Sequence, residues 1–261
     1  LFPSLTNDTA VKTTGGTITL DVSASIGVLT LTNGTISGAN NLTLNGTGSA
    51  WTNGTISGGA TLALASGATL GITTSNPTLT SSSITNAGTV NFSPSSYLIL
   101  SGTGGALTNL SGGLWDFQND KDFNVSGTWT FDNQAGATLR KSTTSGTLGF
   151  GLPLTNAGTV DVLGGIFSID QGGSATGLFD LAAGSTLKFN SSFTLNPGSN
   201  FSSTGALHLA NGTLTLARGV AFAPANDFSI TGGTLTGADD FNILSGVTTT
   251  WTTGTMTGAG T

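Results

Sequence analysis

Short stretches of alternating apolar and polar residues run along almost the whole chain. Each stretch places two apolar residues around one that is usually polar, as in Leu29/Leu31 and Val90/Phe92. Because successive side chains of a strand point to opposite faces, this alternation predicts short strands with one buried face. The inward residues should form one continuous apolar column, which is expected to include Leu44, Leu64, Phe92, Val162 and Phe189.

A recurring motif of Thr, Asn or Gly, Gly, Thr and an apolar residue separates these strands. Copies at residues 14–18, 32–36 and 52–56 stand 18 and 20 residues apart. Coils of about 20 residues, stacked at about 4.8 Å, would share backbone hydrogen bonds with their neighbours. The expected fold is therefore all-β, a right-handed parallel β-helix with about 13 coils and a length of roughly 60 Å. Sandwiches and barrels of short strands remain alternatives.

A second, longer period lies on top of the first. Residues 29–61 correspond to residues 228–261 at an offset of 199, or 200 after one insertion, so that Trp51 matches Trp251. The chain is therefore expected to be a single continuous β-solenoid over residues 1–261. Within it, residues 29–227 form one super-repeat of about 199 residues, and residues 228–261 begin the next copy.

Several segments in this order resemble the long β-strand-repeat arrays of giant bacterial surface proteins, adhesins of the haemagglutinin or autotransporter type. They are WTNGTISG at 51–58, TNAGTV at 85–90, GLWDF at 113–117, NQAGATLRK at 133–141 and TNAGTVDV at 155–162. The resemblance covers roughly residues 28–261. It implies an extracellular or cell-surface rod, and it supplies no ligand or catalytic residue.

Composition narrows the range of functions. Only 7% of residues are charged, the net charge is −6, Glu and Cys are absent, and His208 is the one histidine. Such a chain offers no basic patch for nucleic-acid phosphates and no disulfide scaffold or zinc site. No apolar run approaches the roughly 20 residues that a membrane-spanning helix needs. The sequence therefore predicts neither a nucleic-acid partner nor a membrane span.

Few acidic residues cluster in a way that suggests chemistry. Asp239 and Asp240 are the only adjacent carboxylates. A polygalacturonase-like site would also need a further Asp, a Gly-His-Gly turn and an Arg-x-Lys motif; neither motif occurs, so the pair predicts a turn rather than a polysaccharide hydrolase. Asp116, Asp120 and Asp122 form the densest group, with Asn119 beside them. Oxygen ligands at this density can hold calcium, but a solvated loop with Lys121 as counter-charge is the preferred interpretation.

The remaining candidates are single side chains. His208 lies between two leucines and should point outward, with no Ser or Asp partner nearby in the sequence. Alternation favours core packing over sugar stacking for Trp115 and Trp129. Arg140 and Lys141, the only adjacent basic pair, are expected at a solvated corner.

The sequence thus predicts a non-catalytic structural rod of an extracellular or cell-surface fibre or adhesin, acting as a spacer or self-associating segment. A carbohydrate-binding or carbohydrate-cleaving β-helix is the alternative, which aromatic residues exposed along one groove would favour. Ice binding is a lesser alternative, which an unbroken outward Thr ladder would favour.

No catalytic, cofactor-binding or metal-binding residue is assigned, and no cofactor is expected. The expected partners are neighbouring copies, stacked end to end because neither end of the chain resembles a cap, and surface glycans. In such a stack, Trp251 should pack as Trp51 does.

Overall fold

The chain folds into a β-solenoid, as the sequence predicts. A computed structural model describes residues 8–74, 76–142 and 145–260, and no helix occurs in these residues. Parallel strands stack in about 12 coils of roughly 21 residues. The count is one lower than the motif spacing indicates, because two coils near the middle contain strands of 12 and 11 residues.

The strands are numbered in chain order. Coils 1 to 4 contain β1 (Thr9–Lys12), β2 (Thr17–Thr19), β3 (Ala24–Ile26); β4 (Val28–Leu31), β5 (Thr35–Ser37), β6 (Asn41–Leu44); β7 (Ser49–Trp51), β8 (Thr55–Ser57), β9 (Thr61–Leu64); β10 (Thr69–Ile72), β11 (Thr78–Thr80) and β12 (Ser83–Asn86). Coils 5 and 6 contain β13 (Thr89–Phe92), β14 (Leu98–Asn109); β15 (Leu114–Phe117) and β16 (Phe123–Asn133).

Three strands per coil then return. Coils 7 to 10 contain β17 (Thr138–Lys141), β18 (Thr147–Phe150), β19 (Leu154–Asn156); β20 (Thr159–Val162), β21 (Ile166–Ile169), β22 (Gly173–Ala175); β23 (Leu178–Leu181), β24 (Thr186–Phe189), β25 (Phe193–Leu195); β26 (Asn200–Ser203), β27 (Ala206–Leu209) and β28 (Thr213–Leu216). Coils 11 and 12 contain β29 (Phe228–Ile230), β30 (Thr234–Gly237); β31 (Thr249–Trp251) and β32 (Thr255–Met256).

Each coil visits three faces in the same order. The first face is a 10-stranded sheet from β1 to β26. The third face runs from β3 through the second halves of β14 and β16 to β32. The second face is built from two separate sheets. In coils 1 to 6 it runs from β2 through the first halves of β14 and β16, and after coil 6 it continues as a 6-stranded sheet from β18 to β31.

Alternation correctly identifies the inward residues. Leu44, Leu64, Phe92, Val162 and Phe189 are each at most 2% exposed and belong to one core cluster. They do not form one column, because each face contributes its own stack of inward residues. Leu44 and Leu64 lie on the third face, Phe92 and Val162 on the first, and Phe189 on the second.

A buried ladder of asparagines joins four coils at the corner between the third and first faces. The side-chain amide of Asn86 donates to Oδ1 of Asn109 at 2.8 Å, Asn109 donates to Asn133 at 2.9 Å, and Asn133 donates to Asn156 at 2.8 Å. Each Nδ2 also donates to a carbonyl at the start of the second first-face strand that follows it along the chain: Leu114, Thr138, Thr159 and Leu178. All four side chains are fully buried, and these bonds offset the cost of removing the amides from water.

The two segments predicted to be equivalent copies lie on different faces. Strand β4 of coil 2 is on the first face, whereas its counterpart β29 of coil 11 is on the second. Likewise β5 is on the second face and its counterpart β30 is on the third. The offset of 199 residues therefore corresponds to nine coils and one further face.

Candidate functional site

A ledge interrupts the second face after coil 6. Strand β16 pairs with β14 along its whole length, but β19 of the next coil pairs only with its residues 131–133. In the described part of the chain, no strand covers the other side of residues 123–128, which we call the ledge. Asn124, Ser126 and Thr128 of the ledge are exposed.

A groove of about 730 Å³ lies against the ledge. One wall comes from β14 and β16, and the opposite wall comes from the link between β18 and β19 and from Gln171. The residues that shape it most are Gly104, Gly105, Val125, Gly127, Trp129 and Gly151. None of its lining residues is charged.

Close packing around Trp129 explains a glycine in this region. A Cβ at Gly105 would lie 2.2 Å from the Trp129 ring, so only glycine fits beneath the indole. Trp129 itself is 4% exposed, and its Nε1 is buried with no hydrogen-bond partner. A buried N–H without a partner lowers the stability of the folded chain.

Asp122 lies beside one end of the groove, where it contacts Gly151 of the lining. Its Oδ2 accepts a hydrogen bond from the backbone N–H of Gly151 at 2.9 Å. The pKa of the Asp122 carboxyl is raised to about 6, mainly by burial and also by the nearby Asp170 carboxylate, while the backbone hydrogen bonds oppose the rise. This end of the groove therefore carries negative potential.

The acidic group considered as a calcium site is divided between three environments. Asp116 is a strand residue on the outer side of the first face, Asp120 forms an ion pair, and Asp122 faces Gly151. Among the residues that the structure describes, no group of three acidic or histidine side chains is placed to hold a metal ion. The predicted counter-charge, Lys121, lies over the ring of Tyr97 at 5.4 Å from its centroid.

The prediction that Arg140 and Lys141 form a solvated corner is wrong. Both are in β17, where Lys141 points inward, is fully buried, and places its Nζ 3.0 Å from Oδ1 of Asp120. Arg140 points outward and pairs with Asp161 at 2.8 Å. The alternation contained this signal, because Leu139 is inward and Lys141 is two residues later.

Other candidate residues have structural surroundings. The carboxylate of Asp239 accepts hydrogen bonds from the backbone N–H groups of Arg218 and Gly219 in the preceding coil, so it caps that turn. His208 lies on the outer side of β27 with Nε2 2.7 Å from Oγ1 of Thr231, and burial lowers its pKa.

Trp51, Trp115 and Trp129 are core residues, each at most 4% exposed. Trp251 makes the same bond as Trp51, since each indole N–H donates at 3.3 Å to the carbonyl of a glycine three residues later. Trp251 is nevertheless 54% exposed, because it has a described strand on one side only, whereas β4 and β10 enclose Trp51.

The structure also reveals a regular set of hydroxyls on the second face, which we call the hydroxyl array. Its eight members stand in two columns over coils 1 to 4: Thr17, Thr35, Thr55, Thr78 and Thr19, Ser37, Ser57, Thr80. In coil 5 the first column ends at Ile99. The hydroxyls of coils 1 to 3 have no protein hydrogen-bond partner among the described residues, so they are available to water.

No protein family, no curated protein and no solved structure matches the chain. In the described residues, no helix has the length and apolar character needed to cross a membrane.

Proposed function

We propose that the chain is a non-catalytic structural rod of an extracellular or cell-surface fibre, of the kind that adhesin repeat arrays build. The asparagine ladder is the observation that carries the proposal, since its four buried amides tie successive coils together. Asp239 and Lys141 likewise hold neighbouring segments together. Buried polar groups that bond between coils stabilise a rod.

Two experiments test this function. Antibody labelling and protease treatment of intact host cells should detect the chain outside the cell; detection only in the cytoplasm would contradict the proposal. Incubation with polyuronates and neutral glycans, with and without calcium, should give no turnover. Turnover that is lost in Asp239→Asn would instead establish an enzyme.

We also propose ice binding as a second candidate function, supported by the hydroxyl array. Strand geometry spaces its columns by about 6.6 Å and its rungs by about 4.8 Å, on one flat face. Regularly spaced hydroxyls and methyl groups on such a face can order water into a lattice. Exposed tryptophan platforms, which sugar binding would favour, are not found among Trp51, Trp115 and Trp129.

Ice recrystallisation and thermal hysteresis measurements test the second candidate. Thr55→Lys places a long charged side chain in the centre of the array and should abolish the activity. Thr159→Lys, an outward substitution on the first face, is the matched control and should retain it. Absence of activity in the unaltered chain, or equal activity in both variants, would exclude the array as an ice-binding surface.

A further inference from the structure

The ledge presents backbone hydrogen-bonding groups that have no partner in the described structure. In a parallel pair, alternate residues direct their N–H and C=O groups to opposite sides of the strand. Leu98 of β14 donates to the carbonyl of Asp122, so the even-numbered residues at the start of β16 face β14. Val125 and Gly127 therefore direct their backbone groups to the opposite, uncovered side, whereas the backbone N–H of Phe123 is already bonded to the Asp122 carboxylate.

The uncovered backbone groups of β16 require a partner that offers hydrogen-bond acceptors and donors in alternation. Only an extended polypeptide supplies alternating acceptors and donors at the spacing of a strand, and strand addition at exposed sheet edges is an established mode of peptide recognition. Phe131 shows the same pairing where the next coil does reach β16, because its N–H donates to the carbonyl of Pro153 at 3.0 Å.

The space in the groove and the carboxylates beside it suit an extended peptide. Gly104, Gly105 and Gly151 line it without side chains, which leaves room for a second backbone. Asp122 and Asp170 stand beside one end of the groove, and none of the lining residues is basic, so a Lys or Arg of the ligand would complement that end.

We propose that the groove binds an extended peptide segment, which adds to the ledge as an extra β-strand and places a basic side chain near Asp122. The bound segment would cover the backbone groups of Val125 and Gly127. This binding site is independent of the proposed structural role and of the hydroxyl array.

Peptide titrations followed by amide NMR test the proposal on the full chain. The probes are heptapeptides of alternating Thr and Val with one Lys at varied position, each paired with a copy whose alternate backbone nitrogens are methylated. We expect shifts at the amides of Val125 and Gly127, and at least about tenfold weaker binding of the methylated copies, which lose the strand-pairing donors. Equal binding of both forms would overturn strand addition.

A variant adds a test from the protein side. Val125→Pro removes one N–H that points to the uncovered side, a position where proline is tolerated in an edge strand, and should weaken peptide binding about tenfold. Asn124→Ala is the control, because it shortens an exposed side chain and leaves the backbone unchanged. If Val125→Pro does not fold, the methylated peptides still decide the question. Peptides that leave these amides unshifted, or a neutral oligosaccharide that shifts them instead, would refute the proposal.

Discussion

Individual buried polar residues, rather than the apolar residues alone, hold the middle of this solenoid in register. Asn109 is the clearest case, since its amide bonds to Asn133 and Thr138 on one side and accepts from Asn86 on the other. A buried amide with all of its partners stabilises a structure, whereas removal of one member leaves the others without partners. The ladder therefore makes the stability of each coil depend on its neighbours.

Asn109→Ala should lower the free energy of unfolding by about 2–4 kcal/mol, because Asn86 loses an acceptor and Asn133 loses a donor inside the corner. Asn53→Ala, at an exposed position, should change it by less than about 0.5 kcal/mol. Denaturant titration of the two variants measures the difference. Similar values for both would show that the ladder contributes little.

Asp122 should make stability depend on pH. Its pKa is about 6 in the folded chain against an ordinary value of 3.8, so the folded state holds the proton more tightly. The free energy of unfolding should therefore rise as pH falls through about 6 and level off below about 4, with a total change of at most about 3 kcal/mol.

Asp122→Asn keeps an acceptor for Gly151 and removes the titrating charge. It should be more stable than the unaltered chain at pH 7, and the two should converge near pH 4. The difference between the two chains isolates Asp122, because the lowered pKa of His208 acts in the opposite direction in both. Thermal melts at several pH values provide the measurement, and parallel curves for the two chains would contradict the assigned shift.

At the scale of elements, most strands follow from alternation because one face of each strand must be buried. Lys141 is an exception, because a charged residue is expected to be exposed. The alternation places it inward, and the ion pair with Asp120 makes its burial possible. The ledge could not be predicted, because pairing between strands of adjacent coils depends on coil width. Gly-rich segments inside β14 and β16 also resembled turns rather than strands.

The register of β24 leads to a direct comparison. Phe189 is fully buried, and Lys188 beside it points outward. Phe189→Ala should cost about 3–5 kcal/mol, because it leaves a cavity in the core, whereas Lys188→Ala should stay within about 0.5 kcal/mol. Equal shifts in melting temperature would mean that the strand faces the other way.

At the scale of the whole molecule, the strands of each coil pair only with strands of the adjacent coils, so stability should propagate between neighbours and not along the entire rod at once. The Asn109→Ala variant offers a test. Hydrogen exchange should accelerate most in coils 4 to 7, which share the ladder, and least in coils 9 and 10. Mass spectrometry of proteolytic peptides resolves these regions. Uniform acceleration would indicate a single cooperative unit.

The offset between the two similar segments turns equivalent strands by one face, which would give a series of such repeats an unusual symmetry. Strands β5 and β8 of the hydroxyl array have their counterparts in β30 and β32, a third of a circumference away. Wherever such repeats follow one another, three successive copies would form a screw that points the same surface in three directions. A partner that approaches the fibre from any side would meet one copy of this surface, so the orientation of the fibre would not limit the encounter. A partner with a flat binding surface could engage only every third copy, because the copies between face other directions.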